Sequence, residues 1–209
     1  MESGLRDILK ALPWVIRVAL VFGATAFGWS LLGFLSPITP QHFHEYTPVL
    51  LAWEVGGHVL FGLVAAAPTL DPSLALLCGA ESIAIDSDHI LAALNFPVEG
   101  RLAHSVSFAL VAPILLSYLT RGSRGSSRGV PLVTLSAIAD HMSFDVFAGN
   151  GVVPLLSPFS LAYFDLPYWT WVPLEALAVF LAAIIRLRGR SSEAAQVQLI
   201  PKDALVGDR

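Results

Sequence analysis

Charged residues and cysteine are both scarce in this chain of 209 residues. Asp, Glu, Lys and Arg together make up 13% of it, about half of the roughly 25% that is usual in soluble globular proteins. Hydrophobic residues make up 55% and the mean hydropathy is +0.69, a balance that predicts a chain embedded in a lipid bilayer. The one cysteine, Cys78, excludes an intrachain disulfide and a cysteine-based zinc site. With a net charge of −4, the chain has no basic stripe for nucleic acid.

Six long apolar stretches predict an all-α fold, a polytopic transmembrane helix bundle, because about 20 apolar residues span a membrane. We place them at 12–35, 48–67, 73–96, 104–120, 130–149 and 171–187. The sequence leaves open whether the third and fifth stretches are continuous helices. Residues 1–190 are expected to form a single transmembrane helical domain, and residues 191–209 a flexible cytoplasmic tail. The first stretch exceeds the apolar core of a signal peptide, which favours a retained anchor.

Basic residues give the orientation, since cytoplasmic loops of membrane proteins are enriched in Lys and Arg. Six alternating spans with a cytoplasmic N-terminus leave Arg17 within the first span and Arg101 outside. The other ten basic residues then lie on the cytoplasmic side: Arg6, Lys10, Arg121, Arg124, Arg128, Arg186, Arg188, Arg190, Lys202 and Arg209. This asymmetry predicts a multi-pass protein of the inner (cytoplasmic) cell membrane with both termini in the cytoplasm.

Histidines and aspartates interrupt four of the apolar stretches. Ionisable groups are costly inside a membrane and usually mark a functional site, and imidazole and carboxylate groups are the usual ligands of Zn, Mn and Fe. We therefore predict a site for one or two divalent ions, with zinc the first choice and Mn or Fe as alternatives. The predicted metal ligands are His58, Asp86, Asp88, His89, His104, His141 and Asp145. The other two histidines, His42 and His44, are expected on a solvated external loop.

Spacing along the predicted helices adds detail. His141 and Asp145, four residues apart, share one helix face, as do Glu54 and His58. Asp86 and Asp88 lie about 200° apart around a regular helix, so both cannot bind one ion from it. Either the helix breaks there or one aspartate orients a ligand histidine; the sequence leaves this open.

Three acidic residues are candidates for a catalytic role: Glu54 and Asp140 beside the ligand histidines, and Asp88 itself. Glu81 and Glu175 are weaker candidates. Each alone could instead be a satisfied helix-packing residue or line a wet cavity.

A set of short motifs resembles the YdjM-type membrane-bound metal-dependent hydrolase family. These are Gly57-His58 before an apolar helix, Asp86-Ser87-Asp88-His89, His104-Ser105, and His141-x-x-x-Asp145 followed by Pro154-Leu155-Leu156-Ser157-Pro158. The resemblance covers about residues 54–160 and implies an inner-membrane-associated hydrolase. Where the family usually has His-Arg-Gly-x-Thr-His-Ser, this chain has Glu99-Gly100-Arg101-Leu102-Ala103-His104-Ser105.

The expected function is hydrolysis of an ester or phosphoester by metal-activated water. Because the ligands fall in the outer half of their spans, a phospholipid or other lipid-linked substrate in the outer leaflet is the preferred class. The alternative is a metal-ion or proton transporter that uses the same histidines and aspartates. A structural metal site is a third reading, but seven ligands exceed the four that such a site needs.

Overall fold

The computed structural model of the protein describes residues 2–35, 48–94, 96, 101–121 and 129–198, and these residues are mostly helical. The predicted loop with His42 and His44 lies outside them. The helices in chain order are α1 (Glu2–Ser30), α2 (Pro48–Ala66), α3 (Pro72–Ala84), α4 (Ile90–Ala93), α5 (Val106–Leu119), α6 (Val130–Ala148) and α7 (Trp171–Gln198). Short 3-10 turns follow α1 (Leu31–Leu35) and α2 (Ala67–Thr69), join α3 to α4 (Ile85–His89) and precede α7 (Tyr168–Thr170). Strands β1 (Val152–Val153) and β2 (Phe164–Asp165) form a small antiparallel ribbon after α6.

Four segments are long and apolar enough to cross a membrane: Arg6–Leu35, Leu51–Thr69, Val130–Ala148 and Tyr168–Ser191. The expectation of a membrane protein with several apolar helices is therefore met. Helices α3 and α5 contain 13 and 14 residues, short of the roughly 20 that a straight helix needs to span the bilayer core. Length alone thus supports four of the six predicted spans.

The third and fifth predicted spans differ in continuity. The fifth is one unbroken helix, α6. In the third, the α-helix ends at Ala84 and the Asp-Ser-Asp-His run forms a 3-10 turn, Ile85–His89, which leads into α4. The Ser87 hydroxyl in this turn donates to the Gly23 carbonyl of α1. The polar run is therefore the place where the helix changes its winding.

The main helices alternate in direction through the bundle. The start of α3 lies beside the start of α6, where Leu74 is next to Gly129, and Ser82 near the end of α3 contacts Asp140 near the end of α6. Helix α7 runs the opposite way, because Ser136 of α6 contacts Ala178 while Ser143, further along α6, contacts Trp171. Helices α2 and α5 likewise run against their sequence neighbours, so successive long helices point in opposite directions.

Local signals in the sequence set the helix ends that flank the polar residues. Ser105 caps α5, and its hydroxyl accepts from the Phe108 N–H at 3.3 Å, which places His104 immediately before the helix. Gly149, with φ of 94°, ends α6, since a left-handed residue at this position is tolerated best as glycine. The Asn150 N–H then donates to the Asp145 carbonyl at 2.7 Å, which holds the end of α6 at the polar residues.

Two glycines let α2 approach its neighbours. A Cβ at Gly62 would lie 2.7 Å from the Gly79 Cα of α3, and one at Gly57 would overlap the Phe144 ring of α6. Close contacts between small residues of this kind are typical of helix pairs in membranes. They bring His58, next to Gly57, up against α6.

The predicted tail begins as a helix. Helix α7 ends at Gln198 rather than near residue 190, and residues 199–209 lie outside the described residues.

Candidate metal centre

The seven predicted ligands converge on one region of the bundle. His58 comes from α2, Asp86, Asp88 and His89 from the 3-10 turn after α3, His104 from the residue pair before α5, and His141 and Asp145 from α6. Three overlapping groups have ligand atoms close enough to hold a metal ion: His58–His141–Asp145, Asp86–His104–His141 and Asp88–His89–His104. The structure thus brings the seven residues together, in groups whose geometry could hold a metal ion.

His104 and His141 face each other at the centre of the cluster, and both are buried. Their Nε2 atoms lie 2.8 Å apart. The Nδ1 of His141 lies 2.6 Å from the Ser82 carbonyl oxygen, and a carbonyl can only accept, so the proton is on Nδ1. The Nδ1 of His104 likewise faces the Asp88 carboxylate at 3.2 Å. Two Nε2 lone pairs this close repel unless a cation or a proton lies between them.

Asp86 and Asp145 each connect this histidine pair to His58. One oxygen of Asp86 lies 3.4 Å from the His141 Nε2, and its other oxygen lies 3.8 Å from the His58 Nε2. Asp145 repeats the pattern, with one oxygen 3.4 Å from the His104 Nε2 and the other 3.6 Å from the His58 Nε2. Both carboxylates therefore extend between two groups of histidine nitrogens.

Asp88 is turned away from this centre and supports it. It is buried, and one of its oxygens accepts from the Ala103 N–H at 2.8 Å and faces the His104 Nδ1. Its other oxygen lies 3.3 Å from the His89 Nε2. The spacing of Asp86 and Asp88 left open whether the helix breaks or one aspartate orients a histidine. Both occur: the α-helix ends at Ala84, and Asp88 contacts the His104 Nδ1.

The cluster also contains a cation that the ligand prediction left out. Arg101 forms an ion pair with Asp145 and donates to the Asn150 carbonyl at 3.0 Å. Arg101 and His104 lie in the connection before α5, outside the four candidate spans. Burial alone would lower the pKa of Arg101, but Asp145 and Asp86 raise it above its ordinary value.

The cause is the negative potential of the aspartates, which stabilises the positive charge of Arg101. The same potential favours a divalent cation at the cluster. The residues present therefore fit a metal ion: nitrogen and oxygen donors converge, and the Nδ1 contacts of His104 and His141 leave their Nε2 atoms available.

The three candidate catalytic residues occupy different positions. A carboxylate oxygen of Glu54 lies 3.8 Å from the His58 Nε2, at the edge of the cluster. Asp88 supports His104, as described above. Asp140 lies within α6 on the side away from the cluster and accepts from the Ser82 hydroxyl at 2.6 Å, and Ser82 in turn contacts His141 through its carbonyl.

The cluster is partly open at one side. Four of its side chains remain partly accessible, with exposures of 28% for Asp86, 23% for His89, 20% for Arg101 and 15% for Glu54. His58, His104, His141 and Asp145 are buried. The accessible part of the cluster therefore includes Asp86, His89, Arg101 and Glu54, whereas the central histidine pair is enclosed.

Sequence reasoning did not assign three of the contributing residues. Ser82 orients His141 through its backbone carbonyl, and a main-chain group leaves no trace in the sequence. Gly57 admits the Phe144 ring, which packs edge-on against His58 at 4.6 Å. Arg101 did leave a signal, since it is the one basic residue clearly outside in the predicted topology and it precedes His104 by three positions.

Comparisons with models of protein families, with curated proteins and with solved structures found no match to this chain.

Proposed function

We propose that the protein is a membrane-embedded, metal-dependent hydrolase that cleaves an ester or phosphoester. The observation that carries this proposal is the His104–His141 pair, whose Nε2 atoms lie 2.8 Å apart beside two carboxylates that also reach His58. Two ligand atoms about 2.1 Å from one tetrahedral zinc ion lie about 3.4 Å apart, so this pair would have to move apart by only about 0.6 Å to hold an ion.

The distances support a centre of two ions. One ion would be bound by His104 and His141, the other by His58 with Glu54 nearby. Asp86 and Asp145 would each bind one ion per oxygen, since both span from the pair to His58. Two-ion sites with ions about 3.5–4 Å apart are common in enzymes that hydrolyse phosphoesters. Zinc suits this donor set, and Mn or Fe would also suit it.

The chemistry would divide between the ions and the accessible side chains. Bound divalent ions lower the pKa of water and polarise the oxygen of the scissile group. Glu54 is positioned best among the three candidate catalytic residues to accept a proton, because it lies at the accessible edge beside His58. Arg101, which is partly accessible, offers a guanidinium, which suits an anionic substrate such as a phosphoester.

The helix directions support the six-span arrangement with both termini in the cytoplasm. Although α3 and α5 are short, Arg101 contacts Asn150 after the end of α6, whereas Leu74 at the start of α3 lies next to Gly129 before α6. Arg101, before α5, and Leu74, at the start of α3, therefore lie at opposite ends of α6. In this orientation the cluster lies in the outer half of the membrane, which suits a lipid or lipid-linked substrate of the outer leaflet.

The orientation can be tested by cysteine labelling in cells. Ser160→Cys, in the ribbon after α6, should react with a membrane-impermeant maleimide added outside, whereas Ser191→Cys near the end of α7 should react only after permeabilisation. The native Cys78 is buried and serves as the unlabelled background. Labelling of both positions from the exterior would overturn the orientation.

Membership of the YdjM-type family is part of the same proposal and rests on the motifs in residues 54–160. Each motif residue has a distinct position in the cluster: Gly57 makes room for Phe144, the Asp-Ser-Asp-His run forms the 3-10 turn, and His104-Ser105 combines a ligand with a helix cap. This agreement between motif and geometry supports the family assignment.

One observation favours the alternative, a metal-ion or proton transporter. A second line of polar side chains runs along α6 from the cluster towards the inner side, through Asp140, Ser136 and Thr134. However, the four residues of α6 before Thr134 are apolar, and Val130 and Val133 among them are buried. Helix α6 therefore does not continue the polar line to its inner end, which favours the hydrolase over a transport path.

The deciding experiment compares two activities of one preparation. Detergent-purified protein is analysed for metal, then assayed for hydrolysis of phospholipids and p-nitrophenyl phosphate and, in proteoliposomes, for Zn²⁺ and proton flux. We expect metal-dependent hydrolysis that is lost in His141→Ala. Ion flux from metal-loaded protein without hydrolysis of any ester would replace the hydrolase proposal by the transporter.

A further inference from the structure

An apolar groove of about 430 Å³ runs down the bundle between α1 and α2. These two helices both pack against α3 rather than against each other, so α3 forms the floor. The floor residues include the small Ala80 and Ala84, and the walls include Ile16 of α1 and Leu63 of α2. The groove is therefore narrow, apolar and open along its length to the surroundings of the bundle.

One end of the groove lies next to the candidate metal centre. Ile83 lines the groove, and Asp86 lies three residues further on, about one turn along the same side of the chain. Val59 also lines it and directly follows His58. The apolar floor thus leads up to the accessible carboxylate of the cluster without an intervening charged residue among its lining side chains.

The groove extends from this end towards the inner side of the membrane. Its floor runs from Ala84 back to Leu76, eight helical residues or about 12 Å. Helix α1 covers the same distance from Leu20 back to Leu12. In the proposed orientation the cluster lies nearer the outer surface and the groove points to the middle of the bilayer. A lipid of the outer leaflet has the same arrangement, with its polar group outward and its chains inward.

We propose that this groove binds an aliphatic chain of the lipid substrate, so that the ester or phosphoester next to that chain lies at the metal centre. This inference rests on the proposed function and names its substrate class: a membrane lipid rather than a soluble ester. The occupant is a single aliphatic chain and not a helix. Packed helices need 8–10 Å between their axes, and the groove lies between α1 and α2, which both already pack against α3. Lateral entry needs no aqueous channel, since the groove opens towards the membrane.

The test is photolabelling in vesicles of phosphatidylethanolamine and phosphatidylglycerol that contain a phosphatidylglycerol with a diazirine in one acyl chain. Labelled residues are identified by peptide mass spectrometry. We expect labelling concentrated on the α3 and α2 walls of the groove, around Ala80 and Leu63, severalfold above that on the lipid-facing side of α5, at Leu110 and Ile114. Equal labelling of the groove and the α5 face would mean ordinary surrounding lipid and would overturn the proposal.

A matched pair of substitutions sharpens the test. Ala80→Trp fills the floor and should lower groove labelling severalfold while labelling of α5 is unchanged. Ala52→Trp adds the same side chain to an exposed position of α2 outside the groove and should change neither. If Ala80→Trp does not elute as a monodisperse protein, Ala80→Leu replaces it. Unchanged groove labelling in a folded Ala80 variant would contradict the proposal.

Failure of the proposed function can be told apart from failure of the groove. Labelling needs no turnover, so His141→Ala should keep the groove pattern while losing hydrolysis. If labelling is concentrated in the groove but no ester is hydrolysed, the lipid-binding proposal stands and the hydrolase proposal is wrong. If p-nitrophenyl phosphate is hydrolysed but the groove and α5 are labelled equally, the hydrolase proposal stands and the lipid-binding proposal is wrong.

Discussion

Two buried polar regions lie against the two sides of α6, and they differ in composition. The cluster that could hold a metal ion contains four histidines, whose ring nitrogens face carboxylates at 3.2–3.9 Å. The second region, between α3, α6 and α7, contains the carboxyls Glu81, Asp140 and Glu175 but no described histidine. Its carboxyls contact hydroxyl groups instead: Thr134 donates to Glu81 at 3.3 Å and Ser82 donates to Asp140 at 2.6 Å.

The difference shows what distinguishes a candidate metal site from a structural polar network. Both regions bury acids, which is costly in either case. In the cluster, the Nε2 atoms of His104 and His141 converge among carboxylates, an arrangement that a cation stabilises. In the second region, hydroxyl donors already satisfy the acids in part. Burial of an acid alone is therefore a poor guide to metal binding.

Removing a cluster carboxylate should have the largest effect. Asp86→Ala removes a ligand shared by both proposed ions and should reduce the metal content of purified protein from the wild-type stoichiometry to near zero, with loss of hydrolysis. Asp140→Asn, in the other region, should keep the wild-type metal content. Inductively coupled plasma mass spectrometry measures both. Equal metal loss in the two variants would erase the distinction between the regions.

The two adjacent glycines of α2 offer a matched pair for the position of His58. Alanine at Gly56 meets no atom within 4 Å, whereas alanine at Gly57 overlaps the Phe144 ring. In a helix Gly→Ala otherwise gains about 1 kcal/mol, so Gly56→Ala should be neutral or stabilising. Gly57→Ala should lower the melting temperature and weaken metal binding, because it moves His58 away from Asp86 and Asp145. Thermal unfolding by tryptophan fluorescence and a zinc titration test this, and identical behaviour of the two variants would argue against the packing.

Asp88→Asn should have a graded effect. The amide keeps the size of the side chain but weakens the acceptor that orients His104, and loss of such an orienting group typically costs about 10–100-fold in metal affinity or activity. We expect metal binding that is weakened but still measurable by competition with a chelator. A complete loss, as large as that of Asp86→Ala, would show that Asp88 binds the metal directly.

The smallest effect is expected in the second region. Thr134→Val removes the hydroxyl that donates to buried Glu81 without changing the side-chain shape, and a buried acceptor left without a partner costs about 1–3 kcal/mol. The melting temperature should fall, while metal content and hydrolysis stay at wild-type levels. Loss of metal in this variant would show that the two regions are coupled through Ser82.

The sequence by itself determined the helical class, the presence of several helices apolar enough for a membrane, and the histidines and aspartates that come together in the cluster. Apolar runs of 20 residues have few alternatives to a transmembrane helix, and ionisable residues such as His58 and Asp145 stand out in them because burying them is costly. Helix period also paired His141 with Asp145 on one face. In the structure Ser105 and Gly149 stand at helix ends, positions where serine and glycine are typical.

Only the tertiary structure decided how these residues divide into roles. Whether the helix breaks after Ala84 depends on packing against Gly23 of α1, and the role of Asp88 depends on where His104 arrives from a segment 16 positions away. The Ser82 carbonyl that orients His141 belongs to the backbone, so no side-chain pattern reports it. Asp140 and Asp145 are both acids on α6, but they face different sides of that helix. Asp140 faces Ser82, whereas Asp145 faces three histidines. Only the packing of α2, α3 and α7 around α6 creates this difference.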